Sequence, residues 1–275
     1  MRRGAQLVII LLLAAVVAMG GLLIARGRRQ AGGSPDTVVV FAPCGLTGPL
    51  NATTAIFRQT HPEIRLEVVF DNANILVRRV RDGERPDLFI SPGELEMAQL
   101  ADEGYIDRGT IRDFGSLDVV LFAPSKTEHL NALADLVKPE IKSVSMGDPR
   151  YNSIGFYGEK ALRSLKLWEP IQSKLVLREF PLEAVTLVSE GRVDAGITYL
   201  TCPLDTAPEK ASKSDLRVVA KIPRDAYPPV RLQVGMLKAT AQRQLCQKFV
   251  DFLLSEQAQR ALGGQGLLPA PKERT

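Results

Sequence analysis

From residue 37 onward, short runs of apolar and β-branched residues alternate with stretches of helical period. That alternation leaves few folds open. Residues 37–42 (TVVVFA) predict a strand, and 49–59 a helix with Leu46, Leu50, Thr53 and Phe57 on one face. Residues 64–70 alternate as a strand, 74–82 form a short helix closed by Gly83, and 86–90 read as a buried strand. Ser91-Pro92-Gly93-Glu94 matches a capping box, with Ser at the N-cap, Pro at N1 and Glu at N3, opening a helix that ends at Gly104.

Residues 117–123 (LDVVLFA) predict one continuous strand, and the pattern then restarts. Strands are expected at 142–146, 174–177, 195–199, 216–222 and 231–237. A helix is marked by Tyr157, Ala161 and Leu165, a second spans 182–189 before Gly191, and one amphipathic helix closes the chain. Such βαβ order predicts an α/β protein whose mainly parallel sheets are flanked by helices. Two runs of similar size predict two lobes. Ligands of such sheets bind at the carboxyl ends of strands, where loops open into helix N-termini. Here those ends would face each other across a cleft.

The formal charge of +4 is misleading as a guide to partners. Arg2, Arg3, Arg26, Arg28 and Arg29 lie in the first 35 residues, which hold no acid, so the remainder carries −1. The basic balance gives no reason to expect nucleic acid. Residues 7–24 form an uncharged apolar stretch, flanked by Arg and followed by a Gly-Gly-Ser-Pro linker. Its length suits either a signal-peptide core or a membrane anchor. Ala18-Met19-Gly20 offers a cleavage site, while Leu22-Leu23-Ile24 continues the run past it. Export is expected either way, and 1–36 is read as leader plus linker. Six residues before the apolar run are expected to leave no room for a cytoplasmic output domain.

Cysteine count narrows the chemistry. Cys44, Cys202 and Cys246 include no CxxC pair, and neither His lies in a cluster, so a structural zinc site is not expected. Cys246 shares an i, i+3, i+4, i+7 face with Phe249, Val250 and Leu253 and is read as core. Cys44 and Cys202 both fall in loops after strands. Three readings stay open for them: small half-buried apolar residues, a disulfide, or a soft-ligand site for a metal ion or thiophilic oxyanion, assisted by Tyr199 and Asp71 or Glu94. Neither His lies in a loop expected to reach Cys44, so a nucleophilic Cys/His pair is unsupported and an enzyme is not expected. Arg78, Arg79 and Arg81 read as a solvated helix face or a transporter contact.

Several loops, taken in order, resemble one family. Phe41-Ala-Pro-Cys-Gly-Leu-Thr47 resembles the FAAASLT loop of molybdate-binding proteins, the periplasmic receptors of ABC importers. Pro86-Asp-Leu-Phe-Ile-Ser91 resembles their ADLFISA segment. Gly147-Asp-Pro149 with Gly155-Phe-Tyr-Gly-Glu-Lys-Ala-Leu162 resembles GDPxxxPAGxYAKEAL, and Leu187-Val-Ser-Glu-Gly-Arg-Val-Asp-Ala-Gly-Ile-Thr-Tyr199 resembles LVERGEVDAGIVY. The likeness runs over residues 37–269. It implies a two-lobed periplasmic-binding-protein type II fold, with 37–122 and 228–275 in lobe one and 123–227 in lobe two. Residues 117–123 and 231–237 would form the hinge.

The resemblance also implies a ligand set, and the chain departs from it. The family holds a tetrahedral oxyanion with neutral donors: two Ser hydroxyls, a Tyr hydroxyl and backbone N–H groups at helix starts, where the dipole favours an anion. One Ser position falls on Gly45. The other falls on or beside Ala73, within Asp71-Asn72-Ala73-Asn74. The amide after Ser91 falls on Pro92 and another donor on Pro181, neither of which has an N–H. Ile154 keeps its amide and Tyr199 its hydroxyl. A hydrogen bond to a charged group contributes about 1.5–3 kcal/mol, so losing three or four would remove several orders of magnitude of affinity. Either Asn72, Asn74, Thr47 and freed backbone groups replace them, or the ligand differs.

The resulting expectation is a non-enzymatic, extracytoplasmic receptor without a cofactor. It would act as a monomer, bind a small ion, foremost a molybdate- or tungstate-like oxyanion, and deliver it to an ABC permease. The expected ligand-binding residues are Cys44, Gly45, Asn72, Ala73, Asn74, Ser91, Pro92, Ile154 and Tyr199. The alternative is a soft metal ion on Cys44 and Cys202.

Overall fold

The computed structural model describes residues 37–202 and 216–270. The leader expected over 1–36 lies outside them. Among the described residues, no helix is long and apolar enough to cross a membrane.

Two five-stranded mixed sheets organise the chain. The first contains β1 (Thr37–Pro43), β2 (Arg65–Asp71), β3 (Leu88–Ser91), β4 (Arg112–Leu117) and β10 (Val230–Met236), in the order β2-β1-β3-β10-β4. The second contains β5 (Val119–Pro124), β6 (Val144–Gly147), β7 (Leu175–Arg178), β8 (Ala195–Tyr199) and β9 (Leu216–Lys221), in the order β7-β6-β8-β5-β9. In each, three strands pair in parallel and one returning strand pairs antiparallel: β10 beside β3 and β4, β5 beside β8 and β9. Central strands are buried on both faces, which is why β1, β3 and β5 read as unbroken apolar runs. β2 lies at an edge and alternates, exposing Arg65 and Glu67.

Helices connect the strands: α1 (Thr47–Thr60), α2 (Ala73–Arg81) and α3 (Glu94–Asp102) around the first sheet, α4 (Ser153–Ser164), the short α5 (Trp168–Ile171) and α6 (Pro181–Ser189) around the second. The closing amphipathic helix is two helices, α7 (Arg243–Leu254) and α8 (Glu256–Gly264). Ser255 divides them, because its extended backbone leaves the helix and its hydroxyl accepts from the Ala258 amide at 3.3 Å. Cys246 is fully buried against the same core as Phe249, Val250 and Leu253.

The chain passes between sheets twice. Residues 117–123 are not one strand: Leu117 ends β4 in the first sheet and Val119 begins β5 in the second, with Asp118 between them. The return lies in residues 222–229, before β10, so 231–237 belongs to the first sheet rather than to a crossing. Asp118 is 1% exposed and bonds Arg224 at 2.7 Å and Lys221 at 3.1 Å. Tyr227, from the return crossing, accepts from the Val119 amide at 3.0 Å. The two crossings are thus tied to each other.

The expected capping box at Ser91 does not form. Ser91 remains in β3, opposite Gln233, and its hydroxyl donates to the Gly93 carbonyl at 2.5 Å. α3 begins only at Glu94, with Gly93 as an N-cap that has no side chain to offer.

Candidate functional site

The strands β1, β2 and β3 of the first sheet and β6, β7 and β8 of the second deliver their carboxyl ends, and the helices that follow, to one region. There a cavity of about 40 Å³ is lined by the first loop (Pro43 to Leu46), Asn72, Ala73, Pro92, Glu96, residues 152–154, Pro181, Tyr199, Thr201 and Cys202. A single water needs roughly 10–15 Å³ on this scale, so the space suits one small ion and excludes a sugar-sized solute. None of the lining residues is Lys, Arg or His, and Glu96 is the only carboxylate among them.

Of the residues singled out from sequence, Cys44, Gly45, Asn72, Ala73, Pro92, Ile154, Tyr199 and Cys202 all line this cavity. Asn74 and Ser91 do not. Asn74 is turned to the other lobe, where its side-chain amide donates to the Glu179 carbonyl at 2.9 Å. Ser91 lies behind the wall, with its hydroxyl spent on Gly93 and, at 3.4 Å, on Glu96. Thr47 does not replace a missing donor: its hydroxyl turns back to the Cys44 carbonyl at 2.7 Å. Asp71 and Glu94 stay outside the lining. Glu96, Asn152, Ser153 and Thr201 were missed by sequence reasoning. For Ser153 and Asn152 a signal existed, since Asn is a strong N-cap and α4 follows at once; Asn152 accepts from the Gly155 amide at 2.8 Å.

The helix starts are already engaged by protein acceptors. Pro181 opens α6 without an N–H, and the next amide, of Leu182, donates to the Asn72 side-chain oxygen at 3.1 Å. At α4 the Ser153 amide donates to Glu96 at 3.0 Å, and the Ser153 hydroxyl donates to the same carboxylate. Both contacts run from one sheet's elements to the other's. Arg78 pairs with Glu179 in the same direction, while Arg79 and Arg81 pair with Glu84 and Glu103 near the surface.

Two side-chain donors of the cavity wall are without a partner. The Tyr199 hydroxyl and the Thr201 hydroxyl are buried and have no hydrogen-bond partner. Tyr199 is 4% and Thr201 2% exposed. Buried polar groups of this kind are rare and call for an explanation. Burial, then the nearby Tyr157, Glu96 and Cys202, holds the Tyr199 phenol well above its ordinary value, so it stays a hydrogen-bond donor.

The cysteines meet here. Cys44 and Cys202 both stand as thiols. A Cβ added to Gly45 would lie 2.6 Å from the Cys202 sulfur, so glycine is required for the two loops to approach this closely. Burial, with Cys202 and Asp71 nearby, pushes the Cys44 thiol up to about 12. Among the described residues, no group of three or more His, Cys, Asp or Glu is arranged to hold a metal ion.

The geometry has relatives. Molybdate-binding protein ModA of Haemophilus influenzae is 26% identical over 239 residues, covering 83% of this chain and 89% of its own length. The periplasmic molybdate-binding protein of Azotobacter vinelandii superposes with a TM-score of 0.71 at 16% identity, covering 86% of this chain and all of its own. The sulfate-binding protein SubI of Mycobacterium tuberculosis gives 0.69 at 17% identity, over 85% of this chain and 86% of its own. Residues 38–268 match the model of one family, described as bacterial extracellular solute-binding protein. The family match over nearly the whole chain makes this a binding protein and not an enzyme: with its two mixed sheets and the cavity at their carboxyl ends, it belongs to the bacterial extracellular solute-binding proteins.

Proposed function

We propose that this protein is the extracytoplasmic receptor of an ABC importer, which closes its two sheets as lobes over one small oxyanion of the molybdate or tungstate type. The lobes would part about Asp118 and residues 222–229, and residues 1–36 would export the chain, as a cleaved leader or an anchor. A membrane permease would take the ligand. The observation that carries this reading is the small cavity into which Tyr199 and Thr201 direct hydroxyls with no protein partner. Neutral hydroxyl donors, here at the end of β8 and in the turn after it, can hold an anion without a counter-charge. Likeness to two molybdate-binding proteins supports it.

One observation favours a second reading, a soft metal ion: Cys44 and Cys202, from opposite lobes, line the same cavity. Thermal-shift measurements with molybdate, tungstate, sulfate, phosphate, Zn²⁺, Cu(I) and arsenite separate the two, because a ligand confined to the native state raises its melting temperature. The oxyanion reading expects tungstate to stabilise both the wild type and the Cys44→Ser, Cys202→Ser double variant. Stabilisation only by a metal ion, lost in the double variant, reverses the assignment.

A further inference from the structure

Among the described residues, Glu96 is the one carboxylate lining a cavity that otherwise suits an anion. It is 2% exposed, on the first turn of α3. It reaches the other lobe and occupies the amide and hydroxyl of Ser153, the opening residue of α4, which are donors that a bound anion would use. Among the described residues no basic side chain bonds it: its hydrogen-bond partners are Ser153 and Ser91. Among the described residues, the phenols of Tyr157 on α4 and Tyr199 on β8 face it, and both sense its charge. Cys44 and Cys202 share the cavity. On its own helix Glu94 faces away and meets Arg231 at 3.4 Å, and Arg231 is also held by Asp113 at 2.6 Å.

An ionised Glu96 and a fully deprotonated oxyanion cannot share this space cheaply, since two like charges at close range in a poorly hydrated site repel strongly. Unpartnered Tyr199 and Thr201 hydroxyls offer dipoles, not charge. We infer that the cavity binds its oxyanion together with one proton from solvent, held between Glu96 and the ligand, so that Glu96 sets both the protonation state and the selectivity of what is bound. This rests on the oxyanion reading above. Burial already favours the neutral carboxyl, although the Ser153 donors pull the other way. With the proton on the ligand, Glu96 accepts a hydrogen bond from a hydroxyl of the anion. With the proton on Glu96, the carboxyl donates to it. The first arrangement favours an oxyanion that readily carries a proton, of the hydrogen phosphate or hydrogen arsenate kind, over sulfate; the second admits a fully deprotonated one such as tungstate.

The test is calorimetric titration of the whole protein with tungstate and with arsenate between pH 6 and 8.5, in buffers of different ionisation enthalpy. Uptake of close to one proton per anion is expected at the alkaline end, with affinity weakening up to about tenfold per pH unit. In Glu96→Gln both the slope and the uptake of a proton by the protein should vanish for tungstate, with affinity at pH 8 at least equal to wild type. Tungstate binding that is flat with pH and takes up no proton in the unaltered protein overturns the inference and leaves the oxyanion reading standing; this measurement does not depend on the variant folding. Unchanged slope in a folded Glu96→Gln protein also overturns it. Absence of binding by either protein, for every anion and pH, defeats the oxyanion reading and the inference with it.

Discussion

Asn72 and Leu182 join the two sheets directly: the Asn72 side-chain oxygen, at the start of α2, accepts from the Leu182 amide, in the first turn of α6, at 3.1 Å. The residues are 110 positions apart. Together with Glu96–Ser153 and Asn74–Glu179, this bond ties elements of the two sheets to each other.

Removing it should loosen the closed form. A neutral hydrogen bond contributes about 0.5–1.5 kcal/mol net, so Asn72→Ala should shift the closed-to-open ratio of the unliganded protein roughly two- to tenfold toward open. Small-angle X-ray scattering or a spin-label distance across the cleft reads this as a larger mean separation. A separation identical to wild type would show that the Asn72 bond does not govern closure.

Gly45 and Cys202 should behave as a coupled pair. Gly45→Ser introduces a hydroxyl but drives its Cβ into the Cys202 sulfur, 2.6 Å away. Overpacking of this kind costs about 1–3 kcal/mol. Adding Cys202→Ala should recover most of that loss. A double-mutant cycle in urea measures the coupling, and additivity of the two changes would refute the contact as the cause.

Asp118 should make stability depend on acid. Burial alone would raise its carboxyl, but Arg224 and Lys221 outweigh that and hold it below the ordinary value. The unfolded chain therefore takes the proton first as pH falls. The stabilisation is complete above the ordinary carboxylate range, about pH 4, and is lost as pH falls through the lower folded value. Asp118→Asn should cost about 1–3 kcal/mol at pH 7, and the gap to wild type should narrow below about pH 4. Urea unfolding at pH 7, 5 and 3.5 tests this, and a gap that stays constant would exclude the ion pair as its source.

Two thiols should be unreactive in the native protein. Burial pushes both Cys44 and Cys246 up to about 12, so neither forms appreciable thiolate at pH 8. Native protein treated with iodoacetamide should show little label at Cys44 or Cys246 by mass spectrometry, and full label after denaturation. Rapid native labelling of Cys44 would point to a thiolate there and to the soft-metal reading.

The alternation of strand and helix was legible in the chain because it is local chemistry: β-branched runs, amphipathic faces and glycine stops act within a few residues. It located the loops at strand ends; within them the resemblance to molybdate-binding proteins, and not local pattern, singled out Gly45, Ala73, Pro92, Ile154 and Tyr199, which line the cavity. Local rules failed where a remote partner outbid them. Ser91 had the spacing of an N-cap, yet the ladder with Gln233 kept it in the strand and its hydroxyl went to Gly93. Residues 117–123 read as one apolar strand because neighbours in two different sheets bury them equally, and apolarity does not record which sheet.

What the sequence determined by itself is therefore most of the elements, their order and the side of each sheet where a ligand belongs. Only the tertiary structure decided what the site is made of. In sequence Glu96 is one more acid in the first turn of a helix, a place where carboxylates ordinarily sit in water and favour the dipole. It is buried because Ser153, 57 residues away on the other lobe, is brought against it. Asn72 and Cys202 acquire their roles in the same way. Desolvation is produced by surfaces that meet in space, and the energy of a charged or polar group depends on that environment far more than on the residues beside it in the chain.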